Sequence, residues 1–413
     1  MNRRDFLKTT LTLAALAPLA RLSAQTGNGI GKESQGMIYR ELGRSGLSVS
    51  AIALGVEGFK SRSFEETNTL VTYALKHGIN FMDLCIADPR MLSDIARAMG
   101  TQRKQFVIQG HLGSIWRNGQ YLRSRNLKAC REAYENMLKT FGGHIEIGMI
   151  HYVDAEDDLD RICRNGLLAY AGDLKAAGRI EAIGLSSHSP AIARRAVEEN
   201  LVDVLMFSIN PGYDLRPSGR QIKYDEERQK LYELCARKNI GVNVMKAYGG
   251  GDLLNARLSP FGKAFTPVQA LHYALTRPAV AAVMVGCRNV ADIQAALAWC
   301  SASATERDYT RVFDGLDAKS WQGHCLYCGH CAPCPKEIDI ASVNKYLNLA
   351  LAQGEVPPTV RDHYRLLKHH ASECIQCGAC EKRCPFFFLS EPYKNETGGR
   401  IIRNLTKKED VVK

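Results

Sequence analysis

"ALGVEGF", Ala53 to Phe59, closes the first strongly apolar run of the chain, "VSAIALG" (Val49 to Gly55). Two α/β architectures can begin this way. In a doubly wound open sheet, the first strand-to-helix turn carries a glycine-rich phosphate fingerprint, G-x-G-x-x-G. Gly55 and Gly58 lack that spacing. The stretch therefore decides for the other architecture, a closed (β/α)8 barrel.

Working outward, short apolar runs alternate with amphipathic stretches. The further strand candidates are "INFMDLC" (79–85), "QFVIQGHLG" (105–113), "IEIGMIHYV" (145–153), "EAIGLSS" (181–187), "VDVLMFSIN" (202–210), "IGVNVMKAY" (240–248) and "VAAVMVGC" (280–287). Helical stretches such as "FEETNTLVTYALKHG" (64–78) and "SRNLKACREAYENMLKTFG" (124–142) lie between them. Several close on Gly, which a helix C-terminus favours. Eight strands, each followed by a helix, suit a barrel of about 250 residues. Strands apolar throughout are expected where both faces of a parallel sheet are buried.

The chain has 413 residues and is 45% hydrophobic, enough for one large domain and one small one. Its formal net charge is +11. The basic residues are scattered, apart from the tail "KNETGGRIIRNLTKKEDVVK" (394–413), and no nucleic-acid motif accompanies them. They read as a solvated surface, and nucleic acid is not expected as a partner.

The fourteen cysteines are unevenly distributed. Cys85, Cys130, Cys163, Cys235, Cys287 and Cys300 are dispersed through apolar or helical stretches and are expected to be buried free thiols. The others form two runs. "CLYCGHCAPCP" carries Cys325, Cys328, Cys331 and Cys334 before Pro335; "CIQCGACEKRCP" carries Cys374, Cys377, Cys380 and Cys384 before Pro385. Thiolates at steps of three on a turning backbone can cap three irons of one cube. The fourth cysteine, followed by Pro, reaches the other cluster in two-cluster ferredoxins. Zinc prefers two separated pairs around each ion, which these runs do not supply. Two [4Fe-4S] clusters are expected. One would use Cys325, Cys328, Cys331 and Cys384; the other would use Cys374, Cys377, Cys380 and Cys334. The gap before Cys334 is two residues where three is usual. Gly329 and Gly378 let the backbone approach the sulfurs. The segment between the runs has helical periodicity broken by "GEVPP", which suggests a small, mostly helical ferredoxin-type domain.

The opening "MNRRDFLKTTLTLAALAPLARLSAQ" pairs Arg3 with Arg4 before an apolar stretch too short to span a bilayer, then offers small residues for cleavage after Ala24. It resembles a bacterial twin-arginine (Tat) signal and is excluded from the fold. That route exports folded proteins with cofactors inserted, which implies the export machinery as a partner and a periplasmic or otherwise exported location. The expected organisation is 1–24 signal, 37–303 barrel, 304–324 linker, 325–395 iron–sulfur domain and 396–413 basic tail.

Several stretches resemble the aldo/keto reductase family: "MIYRELGRSGLSVSAIALG" (37–55), "GINFMDLC" (78–85), "MIHYVD" (149–154), "GLSSHS" (184–189) and "PVQALHYALTRPAVAAVMVGCRNVADI" (267–293). The resemblance covers roughly Met37 to Ser303. It implies a TIM barrel that binds NADP(H) at the C-terminal ends of its strands and reduces carbonyls of small-molecule substrates with an Asp, Tyr, Lys and His set. An iron–sulfur domain follows such barrels in a bacterial subgroup. Asp83 matches the family Asp and His151 the family His. Where the family carries Tyr, this chain reads "IADPRMLSD", with no tyrosine between Tyr73 and Tyr121; where it carries Lys, His111 stands in "FVIQGHLG". Met206 and Ser187 replace the usual Gln and Asn of the cofactor pocket. Ser186, Ser187, Asn210, Lys246, Gly286, Arg288 and Asn289 are the candidate cofactor lining, with Arg288 and Asn289 after strand eight where a phosphate could sit.

A phenol with pKa about 10 protonates a carbonyl only if neighbours lower that pKa. With donor and tuner missing, His111 and His151 could face each other across the mouth and His151 could act as general acid. Three functions stay open. One is an exported oxidoreductase whose clusters exchange electrons, through a redox partner, with a ligand near Asp83, His111 and His151. Another is an electron-transfer or binding protein on a degenerate barrel. The last is an ordinary NADP-dependent carbonyl reductase with structural clusters.

Overall fold

The structure is a computed structural model. It describes residues 33–34, 36–313 without 219–220, and, in the C-terminal region, Cys325, Tyr327, 329–351, Val356 and 358–384. The Arg3–Arg4 leader, part of the linker, Cys328 and residues 385–413 lie outside the described residues.

Eight parallel strands close into a barrel: β1 Ile52–Gly55, β2 Phe81–Leu84, β3 Val107–Leu112, β4 Ile147–Ile150, β5 Ala182–Ser187, β6 Val204–Ser208, β7 Gly241–Met245 and β8 Val280–Gly286. Each neighbours the next, and β8 pairs β1. The surrounding helices start on local signals. Ser63 and Glu66 form a capping box for Phe64–Lys76, and Asp88 caps Pro89–Met99, whose first residue is Pro.

Side chains alternate along a strand, so residues two apart share a face. Phe81, Ile147, Met149, Val204 and Met206 pack in one buried cluster with Leu42, Leu47 and Val49 from the N-terminal hairpin Met37–Glu41/Ser48–Ser50. Two steps above Phe81 stands Asp83; two above Met149 stands His151. Gln109 and His111 are likewise two apart on β3. The floor of the barrel is thus apolar and its upper layer polar. Asn243 Nδ2 donates to Gln109 Oε1 at 2.9 Å, and Gln109 Nε2 donates to Asp83 Oδ1 at 2.6 Å.

After β3 the chain does not enter its helix directly. An antiparallel hairpin, Ser114–Arg117 with Gln120–Arg123, intervenes. Asn118 and Gly119 at its tip have φ of 52° and 73°, the paired positive values of a two-residue I′ turn. Gly113 joins β3 to the hairpin at φ 99°, and a Cβ there would lie 2.8 Å from Arg125 Nη1 and 3.0 Å from the Ser124 carbonyl oxygen. Only Gly fits that junction.

The C-terminal domain packs helices Ile340–Leu351 and Pro358–Arg365 around a small core that includes Val343, Leu347, Val360 and Tyr364. It docks on the mouth side of the barrel. The Tyr327 hydroxyl donates to Asp252 Oδ2 at 3.1 Å, and Cys384 packs on a barrel patch containing Leu253, Phe261 and Phe265. Of the six dispersed cysteines, Cys130, Cys235 and Cys287 are buried and Cys85 and Cys300 partly so. Cys163 departs from the expectation: it is exposed, on the outward side of helix Glu156–Arg164. No described helix is long and apolar enough to cross a membrane.

Candidate active site at the barrel mouth

The carboxyl ends of the strands and the C-terminal domain enclose a cavity of roughly 1180 Å³. Asp83, His111 and His151 converge in it and are each nearly inaccessible. His111 Nε2 lies 2.8 Å from Asp83 Oδ1, and His111 Nδ1 lies 2.7 Å from His151 Nδ1. The two imidazoles do face each other, as the sequence led one to expect.

The fourth member was not anticipated. Tyr121, on the second arm of the hairpin, is hydrogen-bonded through its hydroxyl to His151 Nε2. A phenol therefore stands in the site, delivered from the β3 side rather than from the segment after Asp83. The signal was legible: "SIWR-NG-QYLR" is an alternating hairpin around the strongest two-residue turn dipeptide.

His151 is held from behind. Arg125 Nη2 donates to the carbonyls of His151 and Tyr152, both at 2.7 Å, and the same guanidinium pairs with Asp158 at 2.8 Å. Burial first, then the neighbouring charges of His111 and His330, push the His151 pKa well below the usual imidazole range. Burial likewise depresses His330, which reaches the mouth from within the first cysteine run. Glu57 lines the same cavity; burial raises its pKa, and Lys246 and Lys60 partly counter that.

The candidate cofactor residues divide. Ser186, Lys246, Gly286 and Arg288 line the cavity. Ser187, Asn210 and Asn289 do not. Ser187 Oγ donates to the Val153 carbonyl at 2.7 Å. Asn210 donates to the Lys246 carbonyl at 2.8 Å and caps Pro211–Asp214. Asn289 caps Val290–Ser301. Ser186 and Ser187 are consecutive in a strand, so at most one could face inward. Met206 presents a thioether to the cavity and accepts from Gln109 Nε2 at 3.4 Å. The mouth thus offers cations for a phosphate, and at Met206 a thioether where the family resemblance implies an amide contact.

The cysteine runs fit iron–sulfur clusters. Cys334, Cys374, Cys377 and Cys380 line one small cavity together, the crossed set expected from spacing. The Gln376 amide donates to Cys374 Sγ at 3.3 Å, and the Tyr327 amide to Cys325 Sγ at 3.5 Å. Tyr327 and Gln376 have φ of 53° and 56°, and Gly329 and Gly378 have 72° and 69°. The two runs therefore wind the same way. Arg383, next to Cys384, donates to the Pro333 carbonyl at 2.8 Å, which ties the end of the second run to the first.

Residues 51–266, more than half of the chain, match the sequence model of the aldo/keto reductase family, and residues 324–388 match that of a 4Fe-4S dicluster domain. The oxidoreductase YqkF of Bacillus subtilis (strain 168) is 23% identical over 287 residues, covering 62% of this chain and 89% of that protein. Among solved structures, the PA4992 aldo-keto reductase from Pseudomonas aeruginosa is 25% identical, with a TM-score of 0.51 over 64% of this chain and 95% of its own. The holo form of the Bacillus halodurans aldo-keto reductase AKR11C1 shares 19% identity and the fold, with a TM-score of 0.55 over 70% of this chain and 99% of its own.

Proposed function

The chain belongs to the aldo/keto reductase family, and from that premise we propose that it is an exported oxidoreductase acting on a small carbonyl or hydroxyl compound held at the barrel mouth. Electrons come from a one-electron donor protein rather than from free NADPH. The [4Fe-4S] clusters held by the two cysteine runs supply single-electron transfer when bound. Reduction of a carbonyl to an alcohol takes two electrons and two protons. Tyr121 delivers one proton to the oxygen; solvent supplies the other.

The observation that carries this reading is the unbroken line of hydrogen bonds Asp83–His111–His151–Tyr121. Its polarity follows from valence. Asp83 Oδ1 accepts, so His111 Nε2 donates. A neutral His111 must then accept at Nδ1, which makes His151 donate at Nδ1 and accept at Nε2. Tyr121, which lines the cavity, then gives its O–H to His151 and keeps its oxygen lone pairs as acceptors. One extra proton on His111 reverses every bond beyond it. His151 now accepts at Nδ1 and donates at Nε2, and the Tyr121 O–H turns outward. Delivery of that proton to a substrate oxygen returns the line to its neutral form. The depressed pKa of His151 suits a group that passes a proton without keeping it.

Export rests on the Arg3–Arg4 leader. It is consistent with an electron source other than cytoplasmic NADPH, as is the thioether of Met206 where the family resemblance implies a Gln. Replacing Tyr121 with Phe should lower dye-driven reduction by about 10²-fold or more, the range for a lost general acid. Unchanged turnover would remove Tyr121 from the reaction.

A further inference from the structure

One wall of the mouth belongs to the iron–sulfur domain. His330 packs its ring 4.2 Å, centroid to centroid, from Tyr152, 5.4 Å from His188, 5.9 Å from His151 and 6.4 Å from Tyr121. Gly329 and Cys331, on either side of it, line the same cavity. The loop is fastened to the hairpin that carries the phenol: the Cys334 amide donates to Gln120 Oε1 at 3.2 Å, one residue before Tyr121. On the other flank, Glu57 of the barrel approaches Gly329.

Resting on the relay reading above, we propose that His330 is a positioning residue that closes the mouth over Tyr121 and His151, and that the site is complete only when the thiols of the first cysteine run have been drawn together. Among the described residues of 325–334 there is no helix or strand. The course of this loop is therefore set by its contacts: the Tyr327–Asp252 bond, the Gln120 contact, the Arg383 bond to Pro333 and, in loaded protein, the sulfurs of Cys325, Cys331 and Cys334. Four rings meet His330 edge-on or tilted, a geometry in which aromatic groups attract and restrict one another. Releasing the sulfurs loosens the loop between those contacts, lets His330 withdraw and uncovers Tyr121 on the side that His330 faces. Assembly of the cluster domain thereby licenses the barrel site, and a chain without its cofactor presents an open mouth with a loose phenol.

The test uses full-length protein in anaerobic conditions and reads hydrogen–deuterium exchange in the hairpin 114–123 alongside iron and sulfide content. Iron-loaded wild type, wild type stripped by a chelator, and iron-loaded His330→Ala and His330→Phe are compared. The hairpin amides should exchange about tenfold faster or more in the stripped protein and in His330→Ala, as expected for a locally opened segment. His330→Phe, which restores ring packing, should recover most of the protection. Should His330→Ala fail to load iron, the stripped protein and His330→Phe decide between them. Equal exchange in loaded and stripped wild type would overturn the proposal, as would loss of protection in His330→Phe equal to that in His330→Ala. Because the readout is exchange rather than turnover, it is independent of whether Tyr121 proves to be the acid.

Discussion

Four side chains from three strand ends and one hairpin make the line that ends at Tyr121, and in the relay proposed above its protonation would set the direction of chemistry. In that relay the loaded line would leave the phenol O–H for a substrate and suit reduction; the neutral line would leave the phenol as an acceptor and suit removal of a proton from an alcohol. The two directions should therefore have opposite pH slopes, reduction falling and oxidation rising as pH increases. His151→Ala should cut both by about 10²-fold and flatten the slopes, since the phenol loses its link to His111. Parallel slopes for the two directions in wild type would break the account of the line. Three of its members could be read in advance. Asp83, His111 and His151 each sit at a strand end, two residues above an inward apolar residue or Gln109, so the alternation of a strand carries them into the mouth. Tyr121 is not legible from the family's order along the chain, because this phenol arrives from the hairpin after β3 rather than from the segment after Asp83.

At the scale of elements, the hairpin after β3 is the feature that distinguishes this mouth. Its placement depends on Gly113, at φ 99° with Arg125 and the Ser124 carbonyl closing in. Gly113→Ala should destabilise the barrel by about 1–3 kcal/mol, the range for strain at such a backbone position. It should also reduce turnover, because Arg125 is the residue that holds the His151 carbonyl. Chemical denaturation of the variant against wild type measures the first effect; an unchanged midpoint would show that the junction relaxes freely. The barrel itself was legible, since apolar runs and helical stretches alternate at regular intervals. Side-chain direction was less so. Asn210 and Asn289 stand where a cofactor pocket could use them, but each caps a helix by accepting the amide of its third residue, Tyr213 and Asp292, and that claims the side chain. Period-two alternation would have excluded either Ser186 or Ser187.

For the whole molecule, the docking of the cysteine domain on the barrel mouth could not be read from spacing. The runs announce their chemistry, but nothing in "CLYCGHCAPC" says that His330 will meet Tyr152 from the other domain. Spacing gave the expectation of a crossed set, and Cys334 lines one small cavity with Cys374, Cys377 and Cys380. Loaded protein should hold about eight irons and eight labile sulfides per chain, as two cubes require. Cys334→Ala should remove about half of each while leaving the first run's share, and zinc-rich, sulfide-poor protein would contradict the assignment. Replacing Arg3 and Arg4 together with Lys should hold the precursor in the cytoplasm, and mature protein appearing outside the inner membrane at the normal level would remove the export proposal. In the proposed reaction the mouth takes its electrons from a one-electron donor and its proton from Tyr121. The most direct measurement supplies mature, iron-loaded protein with a simple aldehyde and either a reduced low-potential dye or NADPH alone. The account predicts multiple turnover with the dye, abolished by removal of the clusters, and little with NADPH. Fast turnover with NADPH alone, unaffected by loss of the clusters, would contradict it.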